Sequence, residues 1–284
     1  MVTHRACRLL ALALVTLSCT GRLAAQRVQA PVPFALGVVE TIHSMVLGED
    51  RVLNIALPQG YNPDSAARYP VIYLLDGSAD EDFIHIVGAA QFAAFPWVDW
   101  LRPSIVVGIA NVDRRRDLTG PTTIARDKAD FPTTGGSAAF MDFVAKEVIP
   151  FVEANYRTFP ERTLIGQSFG GLFATEVLLR RPWLFQHYII VSPSLWWDNG
   201  SVLRIPADGL SAPDIGAASV YIAVGKEGRE MEKPAQQLAA MARKAHVPQV
   251  SYQHITDLDH ATILHEAVLK AWRWRKEARM VQHR

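Results

Sequence analysis

Strand-length runs rich in Val, Ile and Tyr alternate with helix-length patterns, and this alternation restricts the fold more than any other feature of the chain. The runs fall at residues 52–57, 71–75, 105–109, 163–165, 188–191, 220–224 and 250–254. Each is short, β-branched and bounded by turn residues, as buried strands are. Helical patterns occupy residues 138–156, 171–180, 230–245 and 261–276. This order predicts an α/β fold, a mostly parallel central sheet with helices on both faces. Residues 41–57 depart from it, because two alternating segments flank Gly48-Glu49-Asp50 and predict an N-terminal antiparallel hairpin. Residues 111–136 depart from it too. They carry Asp113-Arg114-Arg115-Arg116-Asp117 and several Thr, Gly and Pro without apolar periodicity. A structureless insertion of that length is more often functional than incidental, so it is expected as a loop or cap over a site, with a plain solvated loop as the alternative.

Composition excludes several functions. A formal net charge of +1 over 284 residues gives no field that would gather phosphate backbones, so the expected partner is a small molecule and not nucleic acid. The first 25 residues read as a secretory signal peptide: His4, Arg5 and Arg8 precede the apolar stretch 9–17, and Leu23-Ala24-Ala25 offers small residues before Gln26. That stretch is much shorter than the roughly 20 residues of a spanning helix, so no integral membrane span is expected. The reading is an exported protein, periplasmic or secreted, with 26–284 as a single catalytic domain. Lipoprotein processing at Cys19 is the lesser option, since Thr16-Leu17-Ser18 is an imperfect lipobox. Both cysteines, Cys7 and Cys19, lie in this segment, so a processed chain has no thiol for a disulfide, a zinc site or a nucleophile. No metal or cofactor is expected, because His265-Glu266 lacks the second histidine of the zinc-protease pattern. The chemistry falls to Ser, His and carboxylates.

The strand at 163–165 runs into Gly166-Gln167-Ser168-Phe169-Gly170-Gly171, and a helical pattern begins at once. This is G-x-S-x-G in its strand–turn–helix setting, where glycines on either side let strand and helix approach around an exposed serine. Ser168 is therefore the expected nucleophile. A serine needs a base oriented by a carboxylate, and in this fold both lie downstream in the order acid, then histidine. His260 sits between the last strand and the last helix, where the base is expected, whereas His254 falls in a strand and His265 in a helix. Glu227 follows the strand 220–224 through Gly225-Lys226, and Asp198 follows the preceding strand; both are candidate acids, with Asp257 and Glu230 weaker ones. The oxyanion hole is expected from the Phe169 amide and from Ser78, which follows the strand end Leu75-Asp76-Gly77. Trp196 and Trp197 are candidate walls of an acyl or aromatic pocket, or else core. Arg115 and its neighbours are candidate contacts for an anionic substrate, or else a solvated charge run.

Taken together, Leu74-Leu75-Asp76-Gly77, the elbow at Ser168, Ser192-Pro193-Ser194-Leu195-Trp196-Trp197, Gly225-Lys226-Glu227 and Asp259-His260-Ala261 resemble the esterase D-like family of α/β-hydrolases. The resemblance covers nearly all the chain after about residue 38, and the Trp-Trp segment points to its single-domain periplasmic siderophore (trilactone) esterases. It implies an α/β-hydrolase fold, with Ser168 and His260 at the matched catalytic positions and Glu227 as the matched acid. The implied activity is hydrolysis of a carboxylic ester through an acyl-serine. The alternatives are acyl transfer at the same site, and a binding protein that keeps the scaffold without turnover.

Overall fold

The β-branched runs pair into one eight-stranded sheet in a computed structural model that describes residues 29–211 and 218–282. The segment read as an export signal, with Cys7 and Cys19, lies outside the described residues. From Ala35 onward the described residues form one compact unit. Strand β1 (Val38–Ser44) pairs antiparallel with β2 (Glu49–Ala56), which pairs antiparallel with β4 (Ile105–Ile109). The rest is parallel: β3 (Tyr69–Leu74), β5 (Thr158–Gln167), β6 (His187–Val191), β7 (Ser219–Gly225) and β8 (Gln249–Ile255) complete the order β1-β2-β4-β3-β5-β6-β7-β8. The hairpin and the parallel sheet are thus as the sequence implies, except that Glu49 and Asp50 pair with Ser44 and His43 within β2 and do not form the turn.

Because β4, β6 and β7 are buried on both faces, helices cover the sheet on either side. One core joins α6 (Phe169–Arg180) and α8 (Arg229–Lys244) to the sheet, and the other joins α1 (Phe83–Ala93) and α9 (Ile263–Gln282) to its opposite face. The helix expected at 138–156 is broken into α4 (Ser137–Phe143), a π-turn at Val144–Val148 and α5 (Ile149–Asn155). Pro150 has no N–H to continue an α ladder, and the wider turn just before it accommodates that loss.

The insertion at 111–136 is not structureless. It holds α2 (Arg114–Leu118) and α3 (Ala125–Asp130), each too short to carry a readable period. Two polar anchors hold it down. Fully buried Arg51 on β2 donates to Asp117 at 2.6 Å, while Arg116 joins Asp117 at 2.7 Å and Glu49 at 2.5 Å. Further along, Asp198, left-handed at φ 48° in the short turn α7 (Trp197–Gly200) after β6, accepts from the Thr123 amide and hydroxyl, both at 2.7 Å.

Candidate active site

Ser168, Glu227 and His260 occupy three loops at the carboxyl ends of parallel strands β5, β7 and β8, leading into α6, α8 and α9. Open parallel sheets place their functional loops at this edge. Ser168 has φ 59° and ψ −119°, a conformation that costs a non-glycine residue about 1–3 kcal/mol and that the surrounding turn must impose. The glycines explain how. A Cβ at Gly166 would overlap the Gly170 carbonyl, and one at Gly171 would lie 2.9 Å from Pro193 Cα, so strand, helix and the post-β6 loop close up only around bare backbone.

The structure brings His260 and Glu227 together, with His260 Nδ1 and Glu227 Oε2 2.6 Å apart. The Glu227 side chain is 5% exposed, while that of His260 is 46% exposed. The imidazole therefore faces solvent while its carboxylate partner sits beneath it. Glu227 Oε1 accepts from the Gly225 amide at 2.9 Å and from the Ser192 hydroxyl. Burial pushes this carboxyl up, but the hydrogen bonds from His260, Ser192 and Gly225 outweigh it and hold Glu227 below the usual carboxylate range. Its loop is fixed in turn: the Glu227 and Gly228 amides donate to Glu232 Oε1 at 3.1 and 2.9 Å, and the Lys226 amide to the Leu258 carbonyl at 2.8 Å.

Ser168 joins this pair through its neighbours. Gln167 donates its side-chain amide to the His260 carbonyl, and Ser168 Oγ lies 3.4 Å from Ser194 Oγ. Asp198 is not brought to His260. Its carboxylate is buried and spent on Thr122 and Thr123, which makes it an anchor of the insertion. Of the expected oxyanion donors, Phe169 opens α6 directly after the nucleophile, while the Ser78 amide contacts Glu81 Oε2 at 3.3 Å. Trp197 is 2% exposed, edge-on to Phe169 and Phe131, and donates Nε1 to the Gly120 carbonyl at 3.0 Å; it is a core pillar behind the site. Trp196 is half-buried against Phe169. Arg115 is exposed with its guanidinium 5.0 Å over Phe131, and it is Arg114 that lies over Phe169, at 5.5 Å.

Sequence reasoning missed Ser192 and Ser194 as site residues, and it named Arg115 with its neighbours without singling out Arg114. The signal was present in Ser-Pro-Ser, whose two hydroxyls turn to the carboxylate and to the nucleophile, but the tryptophans beside it drew the reading. Among the described residues, no group of three or more His, Cys, Asp or Glu is arranged to hold a metal ion.

A family model described as Putative esterase matches residues 44–275. The chain belongs to this esterase family. It is 34% identical over 170 residues to the ferri-bacillibactin esterase BesA of Bacillus subtilis, covering 55% of this chain and 58% of that protein. It is 30% identical over 168 residues to a siderophore triacetylfusarinine C esterase of Aspergillus fumigatus, covering 55% and 56%. The chain thus spans a little over half the length of these curated relatives. Among solved structures it resembles an IroE-like serine hydrolase from Shewanella oneidensis, with TM-score 0.72, 29% identity and coverage of 84% of this chain and 79% of the other. A BES protein from Bacillus cereus matches with TM-score 0.74, 28% identity and coverage of 86% and 97%.

Proposed function

We propose that this member of the esterase family hydrolyses carboxylic esters through an acyl-enzyme on Ser168. The carrying observation is the 2.6 Å hydrogen bond between exposed His260 and buried, ionised Glu227 on the loops beside the strained Ser168 elbow. Ser168 Oγ turns from Ser194 to His260 Nε2 and attacks the carbonyl carbon as His260 takes its proton. Catalytic hydrogen bonds of this kind commonly tighten only when substrate is bound. Glu227 fixes the imidazole tautomer and stabilises the imidazolium. The Phe169 and Ser78 amides receive the oxyanion, so Ser78 exchanges its contact with Glu81 for the substrate oxygen. Collapse breaks the bond to the leaving alcohol, which takes the proton from His260, and water then releases the acid by the same steps.

The relatives named for ferri-bacillibactin and triacetylfusarinine C support a siderophore-type polyester as the substrate class. The aromatic group of Phe131, Phe169 and Trp196, with exposed Arg115 over the Phe131 ring, suits a flat, anionic acyl group. The test is a panel of p-nitrophenyl esters of increasing chain length and a catechol trilactone, assayed with the wild type and Ser168→Ala. Ser168→Ala is expected to keep the fold and lose at least about a thousandfold in kcat. Retained turnover in that variant assigns the chemistry to another nucleophile, and folded wild type inactive on every ester favours a binding role.

The same proposal places the protein in an exported compartment, on the charged-then-apolar pattern of residues 1–25. Among the described residues no helix is long and apolar enough to cross a membrane. Mass spectrometry of protein from the native host is expected to find a mature start near Gln26; a retained Met1 or a lipidated Cys19 would overturn this.

A further inference from the structure

Asp76 is held by more partners than a turn residue needs. It lies two residues beyond β3 with φ 53°, in the left-handed region that disfavours a side chain, and it is 6% exposed. Its carboxylate accepts both arms of Arg114, Nε at 2.6 Å and one terminal nitrogen at 2.8 Å, together with Asn111 Nδ2 at 2.8 Å. The same carboxylate lies against the elbow: a Cβ at Gly170 would sit 3.3 Å from Asp76 Oδ2. Arg114 completes the link, since its guanidinium lies over the ring of Phe169. One ion pair therefore touches both halves of the expected oxyanion hole, the strand end leading to Ser78 and the elbow carrying Phe169. Asn111 extends the network by donating to Glu81 at 3.0 and 3.1 Å, and Glu81 in turn receives the Ser78 amide.

Resting on the hydrolase reading above, we propose that Asp76 and Arg114 are positioning residues whose bidentate pair sets the spacing between the Phe169 and Ser78 amides. The pairing itself argues against a substrate contact. Two of the guanidinium's nitrogens are committed to Asp76 in a planar fork, and the charge is neutralised there, which leaves little field to draw in an anion. What a fork supplies is orientation. An oxyanion hole acts only when its donors stand about 2.7–3.1 Å from where the oxyanion forms, and misplacing one costs up to the 10²–10³-fold of removing it.

The experiment measures kcat and KM on a p-nitrophenyl ester for Asp76→Asn, Arg114→Gln, Arg114→Lys and the double variant Asp76→Asn/Arg114→Gln, with thermal melts to establish folding. In parallel it measures the rate of phosphonylation by a fluorophosphonate, in which Ser168 Oγ bonds to phosphorus, fluoride leaves and His260 takes the proton. Each single variant is expected to lose at least about 30-fold in kcat and in labelling rate, with KM within threefold of wild type. Arg114→Lys keeps the charge but not the fork and should recover little. The double variant leaves no unpaired buried charge, so it keeps the fold, and it should lose no more than the worse single variant, as one shared interaction requires. Unchanged kcat and labelling in the folded double variant, or a KM rise above tenfold with kcat intact, overturns the clamp. Wild type that labels but hydrolyses no ester defeats the functional reading alone and leaves the labelling rates to decide the clamp. Wild type that neither hydrolyses nor labels overturns both.

Discussion

Glu227 and Asp198 are both carboxylates a few residues beyond a parallel strand, and what separates them is who donates to each. Glu227 receives an imidazole, a serine hydroxyl and a backbone amide; Asp198 receives two threonines of the insertion. Glu227→Gln removes the charge that stabilises the imidazolium and is expected to cost nearly as much kcat as His260→Ala, on the scale of about ten-thousandfold. Asp198→Asn retains an acceptor for Thr123 and should stay within about tenfold of wild type, with a lower melting temperature as its main effect. Kinetics of the three variants with melts alongside check both statements, and a reversed order would move the acid to Asp198. The nucleophile and the base were legible in the sequence because each is fixed by local chain order: serine between glycines at a strand–helix turn, histidine between the last strand and the last helix. The acid stayed open between two residues because the distance from a side chain to another loop is not a local quantity. Which of Arg114, Arg115 and Arg116 faces the elbow stayed open for the same reason, as only the pitch of a five-residue helix decides which arginine of the run turns toward Phe169.

At the scale of elements, the site depends on how closely β5, α6 and the loop after β6 approach. Gly166 and Gly170 are in backbone contact, so Gly166→Ala forces strand and helix apart. The expected cost is at least about 2 kcal/mol in stability, from overpacking against backbone that cannot rotate away. Turnover should fall further than stability, because the displacement falls on Ser168 and Phe169. Chemical denaturation with parallel activity measurements tests this, and a variant as active as wild type would show that the close approach is dispensable. The parallel strands were readable because burial on both faces selects continuous β-branched runs. Helix α1 was not. Ile84, Ile86 and Val87 mimic a strand, Gly88 interrupts the pattern, and a nearly all-apolar helix packed on α9 shows no polar stripe to betray its period. The 111–136 insertion, expected as a loop or cap or else as a plain solvated loop, was not legible as structure, since its short helices are held by Arg51 and Asp198, contacts made across the fold.

The whole molecule divides its polar chemistry between the two ends of the sheet. The carboxyl ends of the strands carry the strained serine, the acid and the base. At the opposite end His187, the first residue of β6, pairs with Glu161 at 3.4 Å, and Glu161 also receives Arg275 at 3.1 Å and Arg102. This second cluster bears on stability and not on turnover. Burial foremost depresses His187, against the pull of Glu161, to about 4 from its ordinary 6.5. Burial works against Glu161 as a charge, but His187, Arg275 and Arg102 outweigh it and take its carboxyl down to about 2. Between pH 6.5 and 4 an unfolded chain protonates this histidine while the folded one does not, so the unfolded state binds more protons and stability falls as pH falls. Between 4.5 and 2 the same holds for Glu161. Both groups therefore drive acid unfolding, and His187 alone accounts for up to about 3 kcal/mol of the loss across its window. Replacing it with a group that does not titrate isolates the effect: His187→Gln is expected to flatten the dependence of the urea midpoint on pH between 6.5 and 4. Ester hydrolysis at pH 7 should stay within about twofold, because the substitution lies at the other end of the strands from Ser168. If the variant keeps the full wild-type slope, the acid sensitivity belongs to other groups and His187 is protonated in the folded protein.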